Sequence, residues 1–318
     1  MLSLLAYITW TASPTIAKLG PLTLRWYGLL FMSGFVIGTF VLTHIYKSER
    51  VSPRWVDVIT VYMLIGTVVG ARLGHILFYQ PEILKDPLEI FMIWHGGLAS
   101  HGATIGILLA VWMFSRKNKF DYLWTLDRIV IVVASGGAMI RLGNLMNSEI
   151  VGKATTVPWA FIFTRDVEHL QPATNPLPTG AVLVPDQMQN LTMMAVPRHP
   201  TQIYESLFCI FLFILLYAMW NRTKERTPRG LLFGLFVVLL FSFRFLVEFL
   251  KESQVDFENS LPLDMGQILS VPLILVGIWV IMRAGKWPGN PFGYAPRDLE
   301  EQEAEERAAT ARKAAKIK

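Results

Sequence analysis

The chain is poor in charge and almost without cysteine. Charged residues make up 17% of its 318 positions against 53% hydrophobic ones, and the mean hydropathy is +0.43. That balance is too apolar for one water-facing core and calls for a polytopic membrane protein. The single cysteine, Cys209, lies inside YESLFCIFLFILLY. No intrachain disulfide is therefore possible, and the thiol reads as a packing group. The opening MLSLLAYITWTASP has no basic region and is too short to span, so it is expected to be an interfacial lead-in rather than a cleaved signal peptide. Metal and cofactor signatures are missing as well: HExxH, DxxD, G-x-S-x-G, a P-loop and a dinucleotide fingerprint do not occur in the spans. His95 and His101, six apart with two glycines between, match poorly to zinc ligands on one helix face. The sequence thus calls for no metal and no cofactor.

What is present is a series of long apolar runs. A spanning helix needs about 20 such residues. The expected spans are 24–45, 56–79, 98–114, 129–147, 203–220, 231–250 and 265–282. The fold class is an all-α polytopic membrane protein of seven transmembrane helices, with a small external (periplasmic or extracellular) head inserted between spans four and five. Residues 1–147 carry spans one to four and 203–283 spans five to seven. The head, 148–202, is rich in Pro, Thr and Asn and should form loops and short strands. The tail, 284–318, ends in DLEEQEAEERAATARKAAKIK, expected to be a solvated helix or disordered.

Loop charges orient the spans. Lys47, Arg50 and Arg54 follow span one; Arg116, Lys117, Lys119 and Arg128 follow span three; Arg222, Lys224, Arg226 and Arg229 follow span five. In the alternate loops Lys85 and Lys251 each stand among acidic residues. The positive-inside rule puts the basic set in the cytoplasm, hence the N-terminus and head outside and the C-terminus inside. The net charge of +5 is then explained by topology and anionic headgroups, without nucleic acid as a partner.

With direction fixed, Tyr27, Arg72, His75, His101, Arg141, Asn144 and Arg244 all fall in the outer half of their spans. Charges at the bilayer centre cost about 2.5–3.5 kcal/mol, so intramembrane arginines are functional candidates unless they snorkel or pair locally. Arg244 and Glu248, four apart, can form a structural ion pair; Arg72 can snorkel to the headgroups; His75 suits packing. For Arg141 the local alternative is weaker, because Gly136, Gly137 and Gly143 leave room and Asn144, Asn147 and Glu149 follow. Arginine forks bind phosphate bidentately, and a histidine can take a proton near neutral pH. A phospholipid headgroup fits that chemistry.

The same residues carry a resemblance. IRLGNLMNSEIVG is similar to the G-R-x-G-N-F-x-N-x-E-x-x-G pattern of bacterial prolipoprotein diacylglyceryl transferases. LRWYGL, GARLGHILFY, HGGLASHGATIG, PRHPTQIYE, FRFLVEF and MGQILSVP resemble further elements of that family in order and spacing. The resemblance implies a seven-span body with an external head in the bacterial cytoplasmic (inner) membrane. It also implies transfer of the diacylglyceryl group of phosphatidylglycerol to the lipobox cysteine of a preprolipoprotein signal peptide, giving a thioether and glycerol phosphate. Carried over by motif, Arg141, Arg244 and His101 are the implied catalytic residues. Tyr27, Arg72, Asn144, Asn147, Glu149, Gly152 and Glu248 are the implied substrate-binding ones. Departures are His95 where the family has Asp, Met139 and Ile140 for small residues, Leu145 for Phe, Ser148 for Gly, and a longer tail. A lipid or anion transporter would also place arginines in the membrane, but the inner halves of the spans hold little beyond Thr43 and Asp57. A non-catalytic seven-span receptor is the third class.

Overall fold

The apolar runs become helices. The computed structural model describes residues 7–20, 22–92, 96–185, 192–252, 263–287, 293–305 and 307–308. Its helices are α1 (Trp26–Ser48), α2 (Arg54–Phe78), a short α3 (Pro87–Phe91), α4 (Ser100–Asn118), α5 (Tyr122–Asn147), α6 (Thr201–Thr223), α7 (Leu231–Glu248) and α8 (Met265–Arg283). Six of them, α1, α2 and α5 to α8, are long and apolar enough to cross a membrane, and the chain is a multi-pass membrane protein. Even α7, with 18 residues, extends about 27 Å at 1.5 Å per residue, close to the hydrocarbon thickness. α4 falls outside that set, so length and composition qualify six spans among the described residues where the sequence suggested seven.

The chain divides into two units, Met1–Ile37 with Ile131–Ala218 and Gly234–Trp279, and Gly38–Val130 with Met219–Phe233 and Val280–Lys318. Strands belong to the first. β1 (Ile8–Trp10) runs parallel to β4 (Phe161–Phe163), β2 (Thr15–Leu19) and β3 (Leu22–Arg25) form an antiparallel pair, and β5 (Gln171–Pro172), β7 (Thr192–Ala195) and β6 (Val182–Pro185) make a sheet in the order 5-7-6. The stretch expected to be an interfacial lead-in thus contains a strand. Ile8–Trp10 pairs with the 161–163 strand, held because the Trp10 indole donates to the Leu145 carbonyl (2.9 Å) and its ring packs on buried Leu145, Val151, Phe161 and Phe163.

In the second unit α2 and α4 meet through small residues. A Cβ on Gly66 would stand 2.6 Å from the Gly106 carbonyl oxygen and 2.7 Å from the Ala110 Cβ, and one on Gly74 2.6 Å from the Gly102 Cα. This is small-xxx-small packing, in which missing side chains let two backbones touch. Nearby, Glu49 is buried and accepts from Arg128 (2.9 Å), Trp124 (3.1 Å) and Trp220 (2.6 Å). Asp127 caps α7 by accepting from the Gly230 and Phe233 amides at 2.7 and 2.8 Å. These partners explain why α5 begins at Tyr122 and not near 129: its polar first turns are satisfied inside the protein.

Residues 299–305 of the tail are helical and mostly exposed, but the residue before them is not solvated. Asp298 is buried, accepting from the Ser52 amide (2.9 Å), Arg54 (2.5 Å) and the Trp55 indole (2.8 Å). Burial pushes its carboxyl up, but these hydrogen bonds and the Arg54 charge outweigh that and hold it below the usual carboxylate range. Residues 309–318 of the expected tail lie outside the described residues.

Candidate active site

Arg141 stands in the last two turns of α5, facing α6. Its Nε lies 3.3 Å from Glu205 Oε2, an ion pair without hydrogen-bond alignment, and its Nη1 donates weakly to Asn144 Oδ1 at 3.4 Å. The other Glu205 oxygen accepts from Lys251 Nζ at 3.0 Å, and Lys251 also stands 3.4 Å from Glu248 Oε2. Charges thus alternate along Arg141, Glu205, Lys251 and Glu248. The last three side chains are at most 10% exposed, whereas Arg141 is 21% exposed. Two buried carboxylates against two cations leave the chain of charges neutral, which matters because one uncompensated buried ion costs several kcal/mol.

Arg244 differs. It lies one turn before Glu248 on α7, half-buried, and has no ion pair or hydrogen bond among the described residues. The alternative of a structural Arg244–Glu248 pair is not what forms: Glu248 turns to Lys251 and fills the space left by Gly266, where a Cβ would meet its Cδ at 2.8 Å. Among the described residues Arg244 is therefore a cation of α7 with no carboxylate partner. Lys251, read from sequence as a loop residue among acids, is instead 3% exposed.

Past Arg141 the helix ends in a sharp turn. Ser148 and Ile150 have φ of 56° and 57°, the left-handed region that favours glycine, so the resemblance's Gly-to-Ser departure falls where glycine costs least. The turn is tied by side chains: Asn144 and Asn147 donate to Glu149 Oε1 at 2.6 and 3.2 Å, while Gln202 donates to the Glu149 carbonyl (2.7 Å) and Thr201 to that of Ile150 (2.9 Å). Gly152 cannot carry a side chain, since a Cβ would lie 2.6 Å from both Cβ and carbonyl oxygen of His199. Tyr27 covers Gly143, where a Cβ would be 2.8 Å from its ring. Four buried polar atoms of this region have no hydrogen-bond partner among the described residues: Asn147 Oδ1, Ser148 Oγ, Gln202 Oε1 and Glu205 Oε2. Such atoms are rare in folded proteins. His199 lies beside them, its Nδ1 3.1 Å from the Tyr204 hydroxyl, with burial pushing its pKa down.

The structure thus brings Tyr27, Arg141, Asn144, Asn147, Glu149, Gly152 and Glu248 into the first unit with Arg244. It places Arg72 and His101 in the second. The snorkelling reading of Arg72 is corrected. That residue is 4% exposed, and its guanidinium donates to the carbonyls of Glu89 (2.5 Å), Ile90 (3.1 Å) and Gly96 (2.7 Å). His75 contacts Gln80 at 3.2 Å and stacks on Tyr79. His101, in the first turn of α4, packs edge-on to Phe78 at 5.0 Å and against Tyr79 at 5.8 Å, and its ring nitrogens have no hydrogen-bond partner among the described residues. His95 lies outside the described residues.

Glu205, Lys251 and Gln202 escaped the sequence reading. Glu205 carried a usable signal, a carboxylate at the head of an apolar run; Lys251 carried one too, three residues after Glu248. Gln202 carried none, because its role depends on a backbone carbonyl from another element.

Comparison with known proteins bears on this group of residues. Residues 14–283 match the family described as prolipoprotein diacylglyceryl transferase. A protein of Chloroherpeton thalassium named phosphatidylglycerol--prolipoprotein diacylglyceryl transferase is 42% identical over 286 residues, covering 88% of this chain and 96% of the relative. Proteins of the same name from Porphyromonas gingivalis (42% over 295 residues, 90% and 98%) and Tolumonas auensis (41% over 281 residues, 87% and 97%) are similar to it as well.

Proposed function

We infer the activity from one premise, that the chain belongs to the prolipoprotein diacylglyceryl transferase family: it transfers the diacylglyceryl group of phosphatidylglycerol to prolipoproteins. The observation that carries the reading onto this chain's residues is the pairing pattern around Arg141. One arginine is half-engaged by a carboxylate that lacks hydrogen-bond alignment, a second arginine is unpaired among the described residues, and unmatched polar atoms lie close in sequence and contact. That is a group suited to a phosphodiester with a polyol head.

In the reaction proposed here, the lipobox cysteine of the signal peptide attacks, as thiolate, the glyceryl carbon bonded to phosphate. A C–S bond forms, the C–O bond breaks, and its electron pair leaves on the phosphate oxygen as glycerol phosphate. Arg141 and Arg244 hold that phosphate and neutralise the charge gathering on it. A cysteine thiol has a pKa near 8.5, so at neutral pH only a few per cent is thiolate and a base is useful. His101 is assigned that proton on motif and chemistry. Asn144, Asn147 and Glu149 shape the turn beside Arg141, Gly152 keeps it closed, Tyr27 packs over it, and Glu248 balances Lys251. Arg72 is assigned a structural role, holding the carbonyls of Glu89, Ile90 and Gly96, in place of substrate contact.

The finer topology belongs to the same proposal. α4 is counted as a seventh span because its glycines pack along α2, a helix able to cross the membrane, from Gly66 to Gly74, about 12 Å of axis. Basic loops put the N-terminus and the 148–202 head outside and the C-terminus in the cytoplasm of the bacterial inner membrane. Purified protein supplied with phosphatidylglycerol and a lipobox peptide is expected to release glycerol phosphate and yield a peptide heavier by one diacylglyceryl group. A transporter would move lipid between leaflets with neither product, and that outcome would overturn the proposal.

A further inference from the structure

Away from the residues assigned to transfer, the C-terminal ends of α1 and α6 form a half-open polar cavity of about 330 Å³ whose lining includes Ser48, Arg50, Arg222, Lys224, Glu225 and Arg226. We propose that this cavity binds the phosphate headgroup of an anionic phospholipid in the leaflet facing these helix ends, a site separate from the transfer chemistry.

Three observations carry the proposal. First, the cations there are unspent. Arg50, Arg222, Lys224 and Arg226 have no acidic partner among the described residues, while the lone carboxylate of the lining, Glu225, is taken by Arg297 at 3.0 Å. The neighbouring basic residues behave otherwise: Arg54, Arg128 and Arg229 are all paired, with Asp298, Glu49 and Asp121. Topological sidedness needs only charge in the loop. It does not need four cations gathered in a concavity and left unpaired while those beside them are neutralised.

Second, the cavity wall is held rigidly. Arg50 and Lys224 have φ of 61° and 46°, a conformation unfavourable for a side-chain-bearing residue. Both turns are pinned through their carbonyls, that of Arg50 by the Leu299 amide (3.4 Å) and that of Lys224 by Thr227 (2.6 Å) and Arg128 (3.4 Å). A fixed wall spares the cost of ordering it on binding.

Third, the location selects the source of the phosphate. The cavity sits where two helices able to span a membrane end, at headgroup level, and basic pockets between spanning helices suit phospholipid heads. Two arginines add the bidentate fork that a phosphodiester accepts.

The test is made in detergent, so it does not depend on orientation. Purified, delipidated full-length protein is titrated with short-chain phosphatidylserine, with phosphatidylcholine and with inorganic phosphate, and bound lipid is counted by native mass spectrometry. Phosphatidylserine lacks the glycerol head of the transfer substrate, so binding is read independently of the proposed activity. The wild type is expected to retain phosphatidylserine over phosphatidylcholine, with inorganic phosphate competing only weakly. An Arg222→Gln/Arg226→Gln variant should bind it about thirtyfold less tightly, the loss expected for two basic side chains at an anionic head, and should still release glycerol phosphate at the wild-type rate. Should that variant unfold, Arg50→Gln reads the same cavity from the other helix end. Equal retention by both variants, no preference over phosphatidylcholine, or full displacement by inorganic phosphate would overturn the proposal.

Discussion

Glu205 governs how Arg141 is presented. Its carboxylate divides between Lys251, with a good hydrogen bond, and Arg141, with a charge contact only, so Arg141 is aimed without being saturated. Replacing the carboxylate by an amide keeps the shape and removes the charge between two cations. Glu205→Gln should therefore lower thermal stability, since Lys251 loses its best buried partner, and should lower kcat about tenfold or more through misplaced Arg141. Stability and glycerol phosphate release measured on the same preparation check this, and unchanged values for both would remove Glu205 from the account. The sequence made Arg141 legible because an arginine among glycines and asparagines in an apolar run has no cheap structural excuse. Glu205 and Lys251 showed as charges out of place, one at the head of an apolar run and one three residues after Glu248, but which charge compensates which is chosen by three-dimensional contact.

Helix α4 falls outside the six helices long and apolar enough to cross a membrane. Ser100, His101, Thr104 and the late Arg116 and Lys117 dilute it, yet its glycines match those of α2 at four-residue spacing. The signal was present in the sequence as Gly66, Gly70, Gly74 and Gly102, Gly106, but a period of four small residues identifies a contact face only once its partner is known. Gly70 sits against the Gly106 backbone, where a Cβ would lie 2.9 Å from the Gly106 Cα. Gly70→Leu should force the two helices apart, lowering thermal stability and disturbing His101 one turn from the contact. Gly20→Leu is no control because of its positive φ; Gly28→Ala, with nothing within 4 Å of the added atom, should be nearly neutral. Melting curves of both variants check the contrast, and equal melting would contradict the packing argument.

For the whole molecule, alternating apolar runs and basic loops were enough to find the long helices to within a few residues, except the start of α5 at Tyr122 where 129 was expected, because bilayer thickness imposes length and composition together. The N-terminal strand was not legible, as three residues pairing across 150 positions leave no periodic trace. Nor was the docking of Asp298, whose partners lie some 245 residues earlier. Orientation is testable directly. In a Cys209→Ser background, Thr174→Cys in the head should react with a membrane-impermeant maleimide on intact spheroplasts, and Thr223→Cys should not. Reversed labelling would put the basic loops outside and defeat the topology.

The central claim is that Arg141 acts through its bidentate fork on the phosphate that leaves. Lysine keeps the charge and loses the fork. The most direct measurement is glycerol phosphate release by Arg141→Lys beside its thermal stability. A folded protein is expected whose turnover falls by about 10² or more, equivalent to roughly 2.7 kcal/mol of transition-state stabilisation; a stable Arg141→Lys protein with wild-type turnover would rule that role out.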